Sequence, residues 1–98
     1  MHVITEKRIR EAKARWPNTA TALDYWYQLA KGSRPSDFAA MRAIFPAVDK
    51  VGDFHVFDIG RNKLRLTAYV RHRSQKLYIK HVLEHREYER GKWKEERA

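Results

Sequence analysis

The sequence has no cysteine, and its 98 residues include only four glycines and three prolines. Without thiols there is neither a disulfide framework nor a thiolate metal site, and a reducing cytosol is the expected setting. No apolar run approaches the roughly 20 residues that cross a bilayer, and no apolar signal segment opens the chain. A cytoplasmic protein with no membrane partner is therefore expected. A glycine-rich phosphate loop is missing, as are internal repeats and low-complexity linkers. The length leaves room for one domain, residues 1–98, which should bury about two thirds of the unfolded chain's surface.

The most informative absence is of negative charge. Between Asp58 and Glu84 there is no acidic residue, yet Arg61, Lys63, Arg65, Arg71, Arg73, Lys76 and Lys80 all fall there. Residues 1–58 carry nine basic and seven acidic side chains and residues 84–98 carry five of each, so this stretch supplies seven of the net +9. A local excess of this kind is the electrostatic footprint for a polyanion. Metal-dependent nuclease chemistry needs clustered carboxylates. The nearest acids, Asp49, Asp53 and Asp58, lack a Glu-x-Lys companion, and His72, His81 and His85 fall on different faces or elements. Neither a metal nor another cofactor is expected.

Alternation shows how the charge is displayed. From Lys63 to Arg71 the apolar positions are Leu64, Leu66, Ala68 and Val70, the period of a strand with one buried face. Gln75 to Leu83 repeats this, with Leu77, Ile79 and Leu83 on one side and Lys76, Tyr78 and Lys80 on the other. A turn at Arg73-Ser74 sets Val70 opposite Leu77, Ala68 opposite Ile79, Tyr69 opposite Tyr78 and Thr67 opposite Lys80. A preceding strand, Phe54–Ile59, joins through Gly60-Arg61-Asn62-Lys63, where Gly and Asn tolerate the positive φ of tight turns. That turn pairs Ile59 with Leu64, Phe57 with Leu66 and Asp58 with Arg65. The exposed face then carries Arg65, Thr67, Tyr69, Tyr78 and Lys80, a basic surface interleaved with tyrosines that suits RNA phosphates and unstacked bases.

Around this sheet the chain reads as helices. His2–Ile4 is a short edge strand, and Thr5 is the expected cap of a helix to about Arg15, with Ile9, Ala12 and Trp16 as its stripe. Thr19 starts a second helix bearing Ala20, Leu23, Trp26, Tyr27 and Ala30, closed by Gly32. Ser36 or Asp37 starts a third, with Phe38, Met41 and Phe45 on one face and Pro46 ending it. Residues 47–52 are read as a link. After the sheet, His85–Arg90 forms a short helix stopped by Gly91, capped or flanked by Glu84 and Glu87, and a charged tail at 92–98 follows. The expected fold class is α+β: N-terminal helices packed on a small antiparallel sheet of three to four strands, with a short C-terminal helix.

One reaction needs neither metal nor cofactor: attack of a ribose 2′-hydroxyl on the adjacent phosphorus, which asks for a general base, a general acid and cations. Arg65, Lys80, His85 and Tyr88 supply those residue types on one strand pair and the following helix. Alternation sets Arg65 and Lys80 close to diagonal neighbours, and helical spacing sends His85 and Tyr88 the same way.

At these residues the chain resembles a family. Phe57-Asp58-Ile59-Gly60-Arg61-Asn62-Lys63-Leu64-Arg65-Leu66, then Lys76-Leu77-Tyr78-Ile79-Lys80-His81-Val82-Leu83, then His85-Arg86-Glu87-Tyr88 resemble the HigB toxins of the RelE-like mRNA interferase group. His2-Val3-Ile4-Thr5 and Phe45-Pro46 are also similar. The resemblance implies a toxin that cuts mRNA in the ribosomal A site and a HigA-type antitoxin with a helix-turn-helix domain, operator DNA being reached only through that antitoxin. It further implies that Arg65 meets the scissile phosphate, that Lys80 is the basic residue of the last strand, and that His85 or Tyr88 transfers protons. His85 is the first assignment because histidine ordinarily titrates near neutrality. Arg61, Asn62, Lys63, Tyr69, Arg71, Arg73, Lys76 and Tyr78 are the expected RNA-binding positions. The chain departs from the family pattern at Arg61 for the second Gly of the turn, at Glu84 for Thr and at Glu89 for Asp.

Structural readings stand beside these. Arg65 with Asp58 is also a plain cross-strand ion pair, and Lys80 a solvated strand residue. His85 and Tyr88 also serve to cap or pack the last helix, His81 reads as a hydrogen-bonded histidine on the apolar side, and Tyr69 with Tyr78 as an aromatic pair. The functional alternatives are a noncatalytic RNA-binding module using the same face and a protein-interaction subunit for an acidic partner.

Overall fold

Apolar alternation and two tight turns build the centre of the molecule, seen in a computed structural model that describes residues 1–95. Strands β1 (His2–Ile4), β2 (Asp49–Val51), β3 (Phe54–Ile59), β4 (Leu64–Arg71) and β5 (Lys76–Glu84) form one sheet in the order β1-β5-β4-β3-β2. Helices α1 (Lys7–Arg15), α2 (Ala20–Gly32) and α3 (Phe38–Ile44) precede β2, and α4 (His85–Arg90) follows β5. The α+β architecture is the one expected. The sheet has five strands rather than three or four, and β1 joins β5 in parallel while the other pairs are antiparallel. Strand β2 lies in what the sequence offered as a link. Its three residues are too few to show alternation, and pairing with β3 through a turn at Gly52, φ 59°, defines it. No helix among the described residues is long and apolar enough to cross a membrane.

The hairpin registers follow the expectation up to one position. Asp58 faces Arg65, Phe57 faces Leu66 and Ile59 faces Leu64. Between β4 and β5, Val70 faces Leu77, Tyr69 faces Tyr78 and Ala68 faces Ile79, but Thr67 faces His81 rather than Lys80. A β-bulge at this step makes Lys80 the extra residue, and an extra residue reverses the facing of all that follow it. Val82, not Leu83, therefore joins the helix-side core, while Leu83 packs on the opposite face.

The helix-side core is the larger. Leu23, Met41, Leu64, Leu66, Leu77 and Ile79 are fully buried, and Phe57 packs edge-on against Trp26 at 5.3 Å and Phe45 at 5.0 Å. Burying each such side chain contributes about 1.5–3 kcal/mol. Asp37 caps α3 by accepting the Ala40 N–H at 2.8 Å. Thr5 does not cap α1. Its φ is 71°, Glu6 takes the cap position, and Tyr27 of α2 donates its hydroxyl to the Glu6 carboxylate. Thr19 holds the cap position of α2, but its hydroxyl donates back to the Trp16 carbonyl.

A second, smaller core lies across the sheet, made of Phe54, Val56 and Trp93 with Val51, Leu83 and Tyr88 against it. Gly91, φ 75°, turns the chain after α4 so that a 3-10 turn, Lys92–Glu95, lays Trp93 there. Trp93 is thus docked, while Lys92, Lys94 and Glu95 around it are exposed. The tail's remaining residues, 96–98, lie outside the described residues.

Candidate functional site

The turn between β3 and β4 is built around one guanidinium. Gly60, Arg61 and Asn62 all have positive φ, at 65°, 54° and 71°. Only glycine adopts this region freely, so Arg61 holds it at a cost of about 1 kcal/mol. The conformation lets the Asn62 N–H donate to Asp58 Oδ1 at 2.6 Å. Arg65 completes the ring of contacts, with Nη1 donating to Asp58 Oδ1 at 3.1 Å and Nη2 to Asn62 Oδ1 at 2.6 Å. Its side chain is only 17% exposed, so the ion pair is better fixed than a surface pair, and Arg65 Cζ stands 5.7 Å from the centre of the Tyr88 ring. The cross-strand pair and the strand arginine of the expected site are therefore one arrangement.

Helix α4 supplies the other groups. Glu84 precedes it, and its backbone N–H lies 3.5 Å from Glu87 Oε1, so both acids help to start the helix. His85 is exposed, and its Nε2 lies 2.8 Å from Glu89 Oε1 one turn on. His85 and Lys63 line one surface cleft with Glu84, Arg86, Glu87 and Glu89. Tyr88 is half-buried, with Trp93 stacked on its ring. Arg65 and Tyr88 are thereby brought together, and Lys63 and His85 share the adjoining cleft.

Lys80 is not brought to Arg65 as expected. The bulge puts Leu83 opposite Arg65 and His81 opposite Thr67, so Lys80 lies farther along the strand than the diagonal position. It is half-buried and makes no ion pair among the described residues. His81 comes instead to the face of Arg65. Its Nδ1 is 2.8 Å from Thr67 Oγ1, and with Leu83, Glu87, Arg90, Lys92 and Trp93 it lines a second cleft. Strict alternation placed it on the apolar side, and no signal in the sequence marks the bulge. Thr67 is fully buried and offers no surface to a ligand.

The other expected RNA-binding residues divide between the two ends of the face. Arg61, Asn62 and Lys63 are exposed at the hairpin. Tyr69 and Tyr78 pair at 6.4 Å at the far end, Arg71 lies over Tyr69 at 5.5 Å, and Arg71, Arg73 and Lys76 are exposed. Tyr69 lies four steps along the strand from Arg65, about 13 Å. The small core of Phe54, Val56 and Trp93 occupies the interval. Among the described residues no three His, Asp or Glu side chains converge as a metal ion would require.

A basic hairpin and a short C-terminal helix on a helix-backed sheet are consistent with the small α+β fold of the RelE-like class. The family model described as HigB toxin, RelE-like toxic component of a toxin-antitoxin system, matches residues 19–91. The chain is 39% identical over 95 residues to the mRNA interferase toxin HigB of Escherichia coli (strain K12), covering 91% of this chain and 88% of that protein. The mRNA interferase HigB of Shigella flexneri gives the same figures, 39% over 95 residues. That of Escherichia coli O6:H1 is 32% identical over 93 residues, covering 92% of this chain and 90% of that protein. The chain belongs to the HigB family of toxins, and membership implies an antitoxin partner.

Proposed function

We propose that this protein is a metal-independent endoribonuclease that cuts mRNA in the ribosomal A site. The observation that carries the reading is the Arg65 guanidinium, fixed by Asp58 and Asn62 beside the Tyr88 ring. Two of its nitrogens are anchored, and the remaining N–H donors are available for a phosphate, a planar fork suited to two phosphate oxygens. In the reaction the 2′-oxygen forms a bond to phosphorus as the bond to the 5′-oxygen breaks. The 2′-proton passes to a base, the 5′-oxygen receives a proton from an acid, and the products carry a 2′,3′-cyclic phosphate and a 5′-hydroxyl.

Arg65 stabilises the charge that builds on the phosphorane, and Lys80, farther along the strand at the bulge, adds positive charge at longer range. His85 exchanges the proton through Nδ1 while Glu89, on Nε2, orients the ring, the same division of labour as in other histidine-carboxylate pairs. Tyr88 stacks on or orients the substrate base, or shares the proton transfer. Arg61, Asn62, Lys63 and the group of Tyr69, Arg71, Arg73, Lys76 and Tyr78 bind RNA on either side. A HigA-type antitoxin with a helix-turn-helix domain neutralises the toxin in the cytoplasm, and operator DNA is contacted only through that antitoxin.

Induced expression in bacteria tests this, with primer extension on a well-translated mRNA. The expected outcome is growth arrest with in-frame, translation-dependent cuts that vanish in folded Arg65→Ala and His85→Ala proteins. A folded wild type that neither arrests growth nor cuts would overturn the reading and favour a noncatalytic RNA-binding module, recognised by salt-dependent affinity lost in small steps as each Lys or Arg is removed.

A further inference from the structure

We infer that Trp93 is a positioning residue of this site, a buried indole that fixes where the Tyr88 ring lies. The inference rests on the RNA-cleaving reading and names a residue beyond the matched family segment, which ends at residue 91. Trp93 holds Tyr88 at two points. Its ring stacks on the Tyr88 ring, centroids 5.1 Å apart and planes 16° from parallel, and its Nε1 donates to the Tyr88 carbonyl at 2.9 Å. The same carbonyl accepts the Gly91 N–H at 3.1 Å, so the helix end, the chain reversal and the indole converge on one residue.

The indole is itself immobilised. It is 4% exposed and meets the Phe54 ring at 5.6 Å and 71°, an edge-on contact. Tyr88 in turn stands 5.7 Å from the Arg65 guanidinium carbon. A rigid path therefore runs from the small core through Trp93 and Tyr88 to Arg65. Stacking constrains the plane of a ring, which an aliphatic side chain of similar bulk does not. A displacement of about 1 Å in a reacting group lowers rates by up to about 100-fold.

The test uses the full-length chain on translating ribosomes. Trp93→Leu keeps apolar bulk and loses both the stack and the donor; Trp93→Phe keeps a stack alone. Val56→Ala is the control, since it perturbs the same core and Val56 has no ring to hold the indole or Tyr88. Positioning predicts that Trp93→Leu lowers kcat about tenfold or more with KM within about twofold, that Phe restores most of it, and that Val56→Ala lowers the melting temperature without the change in kcat. In a Tyr88→Ala background the Trp93→Leu change should then cost little further. Equal kcat losses in Trp93→Leu and Val56→Ala, tracking the folded fraction and additive with Tyr88→Ala, would overturn the inference. If wild-type protein makes no cuts, the cleavage reading fails on its own. The ring-current shift of the Tyr88 aromatic protons then decides, its loss in folded Trp93→Leu supporting a positioning role and its persistence refuting one.

Discussion

Both faces of the sheet are covered, but by different kinds of structure. Three helices cover one face with a continuous core around Leu23, Trp26, Met41 and Phe57. The other is covered at its middle by Trp93, delivered by a turn of four residues after the last helix. The first arrangement gives the domain its stability. The second is small and leaves both ends of the face open, one with Arg65, Tyr88 and the hairpin, the other with Tyr69, Tyr78 and the exposed cations. Regions held by few apolar contacts open at low free energy, and binding sites are commonly drawn from them. Changes on the helix face should therefore act on folding, and changes on the other face on RNA.

The largest expected effect is on that second face. Arg65→Gln retains polar contact with Asp58 and Asn62 but removes the charge; cleavage should fall about 10³-fold, roughly 4 kcal/mol in barrier, with the melting temperature little changed. Rate measurement beside calorimetry checks it, and parallel losses of both would erase the contrast between the faces. Phe57→Ala is the converse. With its ring 1% exposed between Trp26 and Phe45, the substitution should cost about 3–5 kcal/mol in urea unfolding while the folded fraction keeps its RNA affinity.

A smaller effect depends on pH. His55, 3% exposed, meets Phe38 and His72 rings at 5.4 Å each. Burial, then the neighbouring His72 and Lys50 charges, lower its pKa to about 4 from 6.5. The folded state thus resists protonation that the unfolded chain accepts. The contribution is complete above about pH 6.5 and is lost as pH falls toward 4, by up to about 3 kcal/mol. Unfolding free energies across that range should slope upward with pH in wild type and less so in His55→Phe; equal slopes would remove His55 as the cause. The smallest effect belongs to the hairpin, where Arg61→Gly relieves a φ of 54° and should raise stability by about 0.5–1 kcal/mol, while weakening RNA binding slightly through the lost charge. A destabilised Arg61→Gly would show that the turn is held by the arginine side chain instead.

The sequence made much of this legible because its signals were local. Alternation and the Gly60–Lys63 turn specified the β3–β4 register, and with it the meeting of Asp58 and Arg65. The stop at Gly91 and the Asp37 cap were equally readable. What escaped has non-local causes. Strand β2 exists only through its partner, and Thr5 was displaced as a cap by a left-handed backbone at the exit from β1. Trp93 carried a visible anomaly, an indole in a charged tail, but its target across the sheet could be known only once Tyr88, Phe54 and Val56 were assembled. The place opposite Thr67 passed from Lys80 to His81 because one residue was accommodated out of step.

That single extra residue works like punctuation in a text. Pairing Lys80 in step, with no bulge, would leave every letter intact, yet carry His81 and Leu83 under the helices and turn Val82 toward the opposite face. Two relatives could thus spell the same strand and offer opposite chemistry, depending on one silent pause in the reading frame of the sheet.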